Sequence, residues 1–339
     1  MRLITSASVV VFVLLLFALW LFQPVEPVVA ALGVQDCRRV ELTDRDTGWA
    51  VSGAEDLALA PDGNRVIIAA HDRRNATRPN GAIYALDLWT LGSATSLGVV
   101  NLLPETQRQR TFRPHGIALS EDGSRLAIVN RVAEREAVVE IGDLTATNWF
   151  IDKRLTGNSL CRANDLVFLE REVETLMITL DRANCGPSVE DLIPGSTTGR
   201  IALWDGGRLN VIREGLSFPN GISGAFVAET RKSRILRPAG EPIRLSGGPD
   251  NITRLDDRHI LVAVHPSLRR LWLYLQDVWP TAPSRIVRTN VLTAEVDVLF
   301  DDPGGELFSG ATSAVLTDKL LIAGSVADDG LLVCERGQS

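Results

Sequence analysis

The chain has 339 residues, with 35 basic and 42 acidic side chains, a formal net charge of −7, 45% hydrophobic residues and 6% aromatic residues. This composition excludes a disordered chain, and the acidic balance excludes a nucleic-acid binder that relies on a basic surface. Chains longer than roughly 250 residues usually split into domains, although all-β domains can be longer. The length is therefore compatible with one large β domain.

The first element in chain order is hydrophobic. Residues 7–22 contain no charged side chain, and a polar, proline-containing stretch follows them. This length lies between the core of a signal peptide and a membrane-spanning helix of about 20 residues. Residues 29–31 are small enough for a signal peptidase, but they lie well beyond the apolar core. We therefore expect a signal peptide or membrane anchor over residues 1–34, with residues 35–339 forming one domain outside the cytoplasm, either secreted or held at the membrane.

Four cysteines are consistent with export. Cys37 and Cys334 lie near the two ends of the globular part, and Cys161 and Cys185 lie in its middle. An even number of cysteines in an exported chain suggests disulfides, and nested pairing joins Cys37 to Cys334 and Cys161 to Cys185. This is one of three possible connectivities, and buried free thiols are the alternative. A metal site is less favoured because no CxxC or nearby histidine accompanies these cysteines.

Six segments repeat one pattern, in which a polar residue or pair opens a short apolar strand. Five of them continue into a second apolar strand, through turns such as those at residues 61–63, 121–123 and 256–258. The spacings between openings are 60, 49, 56, 30 and 59 residues. Repeats of roughly 40 to 50 residues are typical of β-propeller blades. We predict an all-β, six-bladed β-propeller with one abbreviated blade at the short spacing, preceded by the N-terminal hydrophobic helix. Residues 268–275 alternate in polarity and are predicted as a blade strand.

The polar openings predict a metal site. The innermost strand of each propeller blade runs along the central channel, so the residues that open these strands should meet near the axis. Ca²⁺ takes about six to eight oxygen ligands, and carboxylates gathered without a cation would repel each other. One such residue alone would more often cap a turn, but the feature recurs in five blades. The opening residues are Glu55, Asp56, His115, Asn164, Asp165, Asn220, Asp250, Asn251 and Ser309.

A second ring of polar residues follows from hairpin geometry. The second strand of a hairpin returns to the face where the first strand began, so its last residues should surround the metal at a larger radius. For Glu229 and Ser325 we favour a surface role at a strand end over a role in the site. The positions are His71, Arg131, Asp181, Glu229, His265 and Ser325.

Seven sequence motifs follow one another along residues 37–335. They are SGAEDL (52–57), FRPHGIAL (112–119), CRANDLVFLE (161–170), FPNGIS (218–223), PDNIT (249–253), VHP (264–266) and SGATSAVLTDKLLIAGSV (309–326). With these motifs the domain resembles the paraoxonase/arylesterase family of calcium-dependent lactonases. Their common order makes the resemblance specific, although NGIS alone is also similar to gluconolactonase-type propellers.

The resemblance implies two Ca²⁺ ions and hydrolysis of lactones or aryl esters as small-molecule substrates. Calcium would polarise the carbonyl, and the family's base falls on His115, with His265 at another active-site position. The deeper, structural calcium falls on Asp56, Asp165 and the backbone carbonyl of Ile117. The ligands of the catalytic calcium fall on Glu55, Asn164, Asn220, Asp250 and Asn251.

Two positions depart from the family, because its histidines fall on Arg131 and Arg182 while a neighbouring aspartate is kept as Asp181. Arginine cannot shuttle a proton at ordinary pH, so Asp181 or His71 would take that role if His115 does not. The two arginines would favour an anionic substrate or a negatively charged intermediate. A non-catalytic, calcium-stabilised binding module and a gluconolactonase-type sugar lactonase are the alternative functions.

Overall fold

The computed structural model describes residues 11–12, 23–74, 80–108, 110–133, 136–169, 172–186 and 195–337. These residues are mostly β-strands, which confirms the all-β prediction. Residues 268–275 do not form the predicted strand but an α-helix, α1 (Leu268–Leu275). Ser267 caps this helix by accepting a hydrogen bond from the Arg270 backbone N–H, and Leu273 and Tyr274 are buried on one side. The local cap and this one-sided burial favour a helix over a strand.

The strands form one eight-stranded sheet and four four-stranded sheets. Sheet 1 has the order β2-β3-β4-β5-β1-β24-β23-β22. Its strands are β1 (Cys37–Asp44), β2 (Ala54–Leu59), β3 (Arg65–Ala70), β4 (Ala82–Asp87), β5 (Ser96–Asn101), β22 (Ala311–Leu316), β23 (Leu320–Ser325) and β24 (Leu331–Glu335).

The four smaller sheets each contain consecutive strands. Sheet 2 comprises β6 (Pro114–Leu119), β7 (Arg125–Ala133), β8 (Glu136–Leu144) and β9 (Trp149–Leu155). Sheet 3 comprises β10 (Ala163–Leu169), β11 (Glu172–Leu180), β12 (Gly199–Trp204) and β13 (Leu209–Leu216). Sheet 4 comprises β14 (Pro219–Ser223), β15 (Phe226–Glu229), β16 (Arg234–Leu236) and β17 (Ile243–Arg244). Sheet 5 comprises β18 (Gly248–Arg254), β19 (His259–His265), β20 (Ser284–Asn290) and β21 (Val296–Asp302).

The inner strands form a closed ring, which gives the chain a propeller-like architecture. The strands β2, β6, β10, β14, β18 and β22 contact one another in this order, and β22 contacts β2 again. Turns at residues 61–63, 121–123 and 256–258 connect the hairpins, as predicted. Sheet 4 has the shortest strands, of five, four, three and two residues, and corresponds to the short repeat spacing.

Strand β1 joins the two halves of sheet 1. Its first half pairs antiparallel with β24, with Cys37 opposite Cys334, and its second half pairs in parallel with β5. Disulfides join Cys37 to Cys334 and Cys161 to Cys185, which confirms both predicted pairings. Two disulfides are compatible with an extracytoplasmic location, where the environment is oxidising.

The predicted N-terminal hydrophobic helix lies outside the described residues, except for residues 11–12, which are helical. None of the helices described is long and apolar enough to cross a bilayer. The chain that follows contacts sheet 5. The backbone N–H groups of Ala31 and Leu32 donate to Val298 and Leu299 of the outer strand β21, each at 2.9 Å.

The core lies between the faces of neighbouring sheets. Phe112 and Trp149 of the sheet 2 region pack with ring centroids 6.2 Å apart, in one cluster with Ile67 and Ile83 of sheet 1. The Trp149 indole N–H donates to the Leu126 carbonyl at 3.2 Å. Burial of each large apolar side chain stabilises the fold by about 1.5–3 kcal/mol. The segment that leads into β6 is therefore held in place close to His115.

Candidate functional site

The predicted ligand residues lie where the inner strands leave regular pairing. A change of register interrupts the first hairpin of every repeat near the start of its inner strand. Such bulges re-aim side chains and are often found beside functional sites. The interruptions fall between Ala54 and Asp56, Pro114 and Ile117, Ala163 and Leu166, Pro219 and Ile222, Pro249 and Ile252, and Ala311 and Ser313.

Two glycines allow neighbouring inner strands to approach closely at this level. A Cβ atom at Gly116 would lie 2.5 Å from the Asp165 Cα and 2.6 Å from the Asn164 carbonyl oxygen. A Cβ atom at Gly221 would lie 2.5 Å from the Asp250 carbonyl oxygen. Because no larger residue fits without a shift of the backbone, these glycines bring the ligand residues of adjacent strands together.

Four buried oxygen atoms near the strand starts accept no hydrogen bond. They are Glu55 Oε2, Asn164 Oδ1, Asn220 Oδ1 and Asn251 Oδ1. A buried acceptor without a partner costs about 1–3 kcal/mol, so a ligand that contacts all four would stabilise the fold. We call the five predicted ligands of the catalytic calcium, namely Glu55, Asn164, Asn220, Asp250 and Asn251, the upper cage.

Asp250, the remaining residue of the upper cage, is hydrogen-bonded to His265. The Asp250 carboxylate lies 2.6 Å from Nε2 of His265, and both side chains are buried. Burial raises the pKa of Asp250, while the hydrogen bond and the charge of His265 oppose that shift. His265 therefore lies behind a predicted ligand and orients it.

Asp56 and Asp165, which we call the lower pair, are bound differently. Each carboxylate accepts a hydrogen bond from the backbone N–H of its following residue and a second from the next inner strand, donated by Ile117 and Ile222 at 2.8 Å. Burial, followed by the charges of Asp165 and Glu55, raises the pKa of Asp56 well above its usual value. Burial also raises the pKa of Asp165, against the two backbone hydrogen bonds. The lower pair therefore links the inner strands of neighbouring sheets.

The lower pair also lines a cavity of about 390 Å³ that opens at the opposite end of the tunnel. The walls of this cavity combine apolar side chains such as Leu57 and Ile252 with polar ones such as Thr253 and Arg254. The backbone N–H of Ile117 donates to Asp56. The prediction concerned the other backbone group of this residue, its carbonyl, as a calcium ligand. That part of the prediction is untested.

His115 contacts the upper cage and a residue that the sequence reasoning missed. Its Nδ1 atom lies 3.3 Å from Glu55 Oε2 and 2.7 Å from Nη2 of Arg73. Because a guanidinium group can only donate, Nδ1 accepts this bond and the neutral ring carries its proton on Nε2. Burial and the charges of Arg131 and Arg73 lower the pKa of His115 to about 4, against the effect of Glu55. Burial alone would raise the pKa of Glu55, but His115, Arg73 and Arg131 lower it to about 2.

Asp181 lies directly after β11 and contacts both arginines that depart from the family pattern. Its Oδ2 atom lies 3.5 Å from Nη2 of Arg131, and its Oδ1 atom lies 4.0 Å from Nε of Arg182. Arg131 also donates to the carbonyl of Ala163, which precedes Asn164. Arg131 and Asp181 of the predicted outer ring thus lie beside the cage.

Two further positions of the predicted outer ring serve the fold. The Glu229 carboxylate is buried and binds Arg234 and the backbone N–H of Ser217. The Ser325 hydroxyl donates to the Ser309 carbonyl at 2.6 Å and is also buried. Both residues were expected at the surface, but both are buried. Neither belongs to the cage.

Threonines that the sequence reasoning missed hold the ligand strands in place. Thr179 donates to the carbonyl of Asn220, and Thr312 donates to the carbonyl of Glu55, both at 2.6 Å. Nothing in the repeat pattern distinguishes them from other strand threonines. Arg73 was missed because it lies two residues beyond the position that the hairpin geometry singled out.

The donor set determines which ligand the upper cage could hold. Among the described residues, no three histidine, cysteine, aspartate or glutamate side chains form a metal-binding group by themselves. A cation at the cage would therefore depend on the amide oxygens of Asn164, Asn220 and Asn251. Carboxylate and amide oxygens together fit a hard cation such as Ca²⁺.

The likeness of this chain to known proteins concerns its fold. No family model matches the sequence, and no curated protein matches it. A protein of unknown function from Bacteroides thetaiotaomicron is similar in structure, with a TM-score of 0.54 and 10% identity, over 88% of this chain and 75% of that chain. This likeness shows the fold alone.

Two other solved structures are similar with a TM-score of 0.49. A proposed gluconolactonase is 15% identical over 89% of this chain and 92% of that chain. Virginiamycin B lyase from Staphylococcus aureus is 14% identical over 88% of this chain and 99% of that chain. No conclusion on chemistry follows from either likeness.

Proposed function

We propose that this protein is a calcium-dependent hydrolase of lactones or aryl esters. The observation that carries the proposal is the set of four unpaired oxygen atoms, from Glu55, Asn164, Asn220 and Asn251, on bulges of four inner strands. Buried acceptors with no donor are what a cation site requires, and the resemblance of residues 37–335 to the paraoxonase/arylesterase family supplies the same residues as calcium ligands.

Two calcium ions are proposed. The upper cage would hold the first, and Asp56, Asp165 and the Ile117 carbonyl would hold the second. When bound at the cage, calcium supplies Lewis acidity that polarises a substrate carbonyl and offsets the negative charge that develops on its oxygen. The lower pair would keep a structural ion away from the substrate.

The residues of the chain would handle the proton. In hydrolysis, the water oxygen bonds to the acyl carbon, the acyl C–O bond breaks, and the leaving oxygen takes up a proton. His115 would accept the proton of the attacking water, but Arg73 occupies its Nδ1 lone pair and must move first. Asp181, held by Arg131 at 3.5 Å, is the alternative base. His265 would act through Asp250, by orienting that carboxylate.

We also propose that the fold comprises six blades. The six inner strands form one ring, and β1 ties β22–β24 to β2–β5 through two separate pairings. On this interpretation sheet 1 is two blades bridged by a shared strand. Sheet 4 is the abbreviated blade.

The N-terminal segment is proposed to remain attached as a membrane anchor. The Val28 N–H donates to Asp301 at 2.9 Å, and Arg285, the buried partner of Asp301, approaches the Glu26 carbonyl. Cleavage after Ala31 would remove these contacts. Mass spectrometry of the exported protein tests this proposal: an intact N-terminus in the membrane fraction is expected, and a mature chain that starts at Leu32 would overturn it.

The experiment for the proposed function is hydrolysis of a medium-chain lactone and of phenyl acetate by the purified full chain, with added Ca²⁺ and after chelation. We expect turnover that requires calcium and is lost in Asn220→Ala. The matched control is Asn210→Ala, which truncates an exposed asparagine on the outer strand β13. Parallel assays on aldonolactones separate a sugar lactonase from this proposal. If calcium raises the melting temperature without turnover of any of these compounds, the chain is a binding module.

The choice of base is tested by two variants. Asp181→Asn keeps the size of the side chain and removes its charge, and His115→Gln removes the imidazole. The variant that lowers kcat more than it lowers calcium affinity identifies the base. Unchanged turnover in Asp181→Asn would remove Asp181 from the mechanism.

A further inference from the structure

Five arginines form an arc on the face of the upper cage. They come from sheets 1 to 4, two of them from sheet 3, and lie at or near strand ends. Arg73 contacts His115, Arg131 donates to Ala163 O, and Arg182 lies beside Asp181. We call these five residues, Arg73, Arg131, Arg162, Arg182 and Arg231, the arginine arc.

The arc continues past the cage towards Asn220. Arg182 and Arg231 both lie over the ring of Phe218, with guanidinium carbons 5.6 Å and 5.3 Å from its centroid. Phe218 precedes Pro219 and Asn220 and has a φ of 55°, a left-handed conformation that is rare outside glycine. This backbone places the aromatic ring between two cations at the edge of the cage.

The charge of the arc exceeds that of its acidic neighbours. Guanidinium groups stay protonated, and among the described acidic side chains Asp181 contacts the arc directly while Asp72 precedes Arg73 in the chain. Glu55 and Asp250 of the cage also face Arg73, but a cation in the cage would offset their charges. The local excess is positive in a chain whose net charge is −7. An anion on this face would therefore be attracted despite the overall charge.

The side chains at the centre of the arc are accessible to a substrate. Arg131 is 34% exposed and Arg182 is 26% exposed, while Asp181 between them is buried. Arg131 reaches the carbonyl directly before Asn164, so an anion bound there would lie beside the cage rather than inside it. The planar guanidinium group binds carboxylates through paired hydrogen bonds.

We infer that the substrate is an ester or lactone that carries a carboxylate away from its scissile carbonyl, bound by Arg131 and Arg182. This inference rests on the proposed function, because the scissile carbonyl is assigned to the calcium site. The arc would position the substrate, and the cage and its base would act on the acyl carbon. Neutral lactones and simple aryl esters would be poorer substrates.

The test compares two compounds that differ in charge alone: a γ-lactone with a carboxylate on its side chain, and the primary amide of the same compound. With the full chain and added Ca²⁺, we expect kcat/KM to favour the carboxylate by about tenfold or more, mainly through KM. Arg131→Met should abolish this preference, and Arg182→Met provides a second variant if the first does not fold. The matched control is Arg213→Met, which removes one exposed arginine from the outer strand β13.

Equal kcat/KM for the two compounds in the unmodified protein, or a preference that persists in both variants, would overturn the inference. If neither compound is hydrolysed, the proposed function fails, and calorimetric binding of glutarate then decides the inference separately. Binding that is lost in Arg131→Met but kept in Arg213→Met would support the carboxylate site. Absent binding, or equal binding in all three proteins, would refute it.

Discussion

Two residues of the upper cage, Glu55 and Asn164, directly precede the lower pair on strands β2 and β10, yet the two sets differ in how their side-chain oxygen atoms are hydrogen-bonded. Glu55 and Asn164 leave buried oxygen atoms without donors, whereas Asp56 and Asp165 each accept two backbone hydrogen bonds. The difference teaches that burial and charge alone do not define a ligand site. What separates the two levels is whether the backbone already satisfies the oxygen atoms.

The backbone explains this contrast. The N–H groups of Ile117 and Ile222 come from the neighbouring inner strand and reach the lower pair. These bonds link adjacent sheets, so the lower pair contributes to the fold even without a cation. No comparable donor reaches the four orphaned oxygen atoms of the cage. We therefore expect the cage to depend on calcium and the lower pair to matter for stability.

The largest expected effect is that of Glu55→Gln. This change removes one of the two carboxylates of the cage and keeps the size of the side chain, so calcium affinity should fall by about 100-fold and turnover with it. The melting temperature of the calcium-free protein should fall, because Arg73 and Arg131 lose the negative charge whose pKa they lower. Calorimetric titration with calcium and thermal melts measure both quantities. Unchanged calcium affinity would contradict the proposal that the upper cage binds calcium.

Gly116→Ala should damage both levels at once. The added Cβ would lie 2.5 Å from the Asp165 Cα and 2.6 Å from the Asn164 carbonyl oxygen, so the two inner strands must separate. Overpacking of this kind costs about 1–3 kcal/mol of unfolding free energy, and calcium affinity should decrease too. Urea denaturation measures the first effect. Gly207→Ala is the control, because its Cβ would meet nothing closer than 3.8 Å, and equal stability of the two variants would contradict the close approach.

Asp56→Asn should act on the fold without calcium. Leu57 and Ile117 donate to different oxygen atoms of Asp56, and the amide replaces one of these atoms with an NH2 group that cannot accept. The calcium-free protein should therefore lose about 1–3 kcal/mol of unfolding free energy. Urea denaturation in the presence of a chelator measures the loss. Asp257→Asn, at a side chain that is 97% exposed, should change nothing. If Asp56→Asn were neutral in the chelator, the two levels would not differ as described.

The smallest expected effect belongs to His265, which orients Asp250 across 2.6 Å. His265→Leu should weaken calcium binding by about tenfold, as removal of an outer partner of a metal ligand commonly does. His265→Gln keeps a donor and should weaken it less. Calcium titrations of the two variants provide the comparison, and equal losses would show that packing rather than the hydrogen bond holds Asp250.

Much of this architecture was predictable because hairpins repeat along the chain. The polar openings at Glu55, Asn164 and Asn220 marked the inner strands, and the cysteine order led to both disulfides. The strand prediction for residues 268–275 was wrong, because the pattern of a short segment does not show whether a strand lies beside it or whether its flanking residues cap a helix. Arg73 carried no signal, since its role depends on contact with His115 from another sheet.

The sequence by itself determined which chemical groups are available, because side-chain type and repeat spacing are local properties of the chain. Carboxylates and amides near the start of four inner strands are present in every conformation that the chain could adopt. Only the tertiary structure decided which of their oxygen atoms remain unpaired. That distinction depends on bulges, on the close approach at Gly116 and on backbone donors from adjacent strands, all of which arise when the ring of inner strands closes.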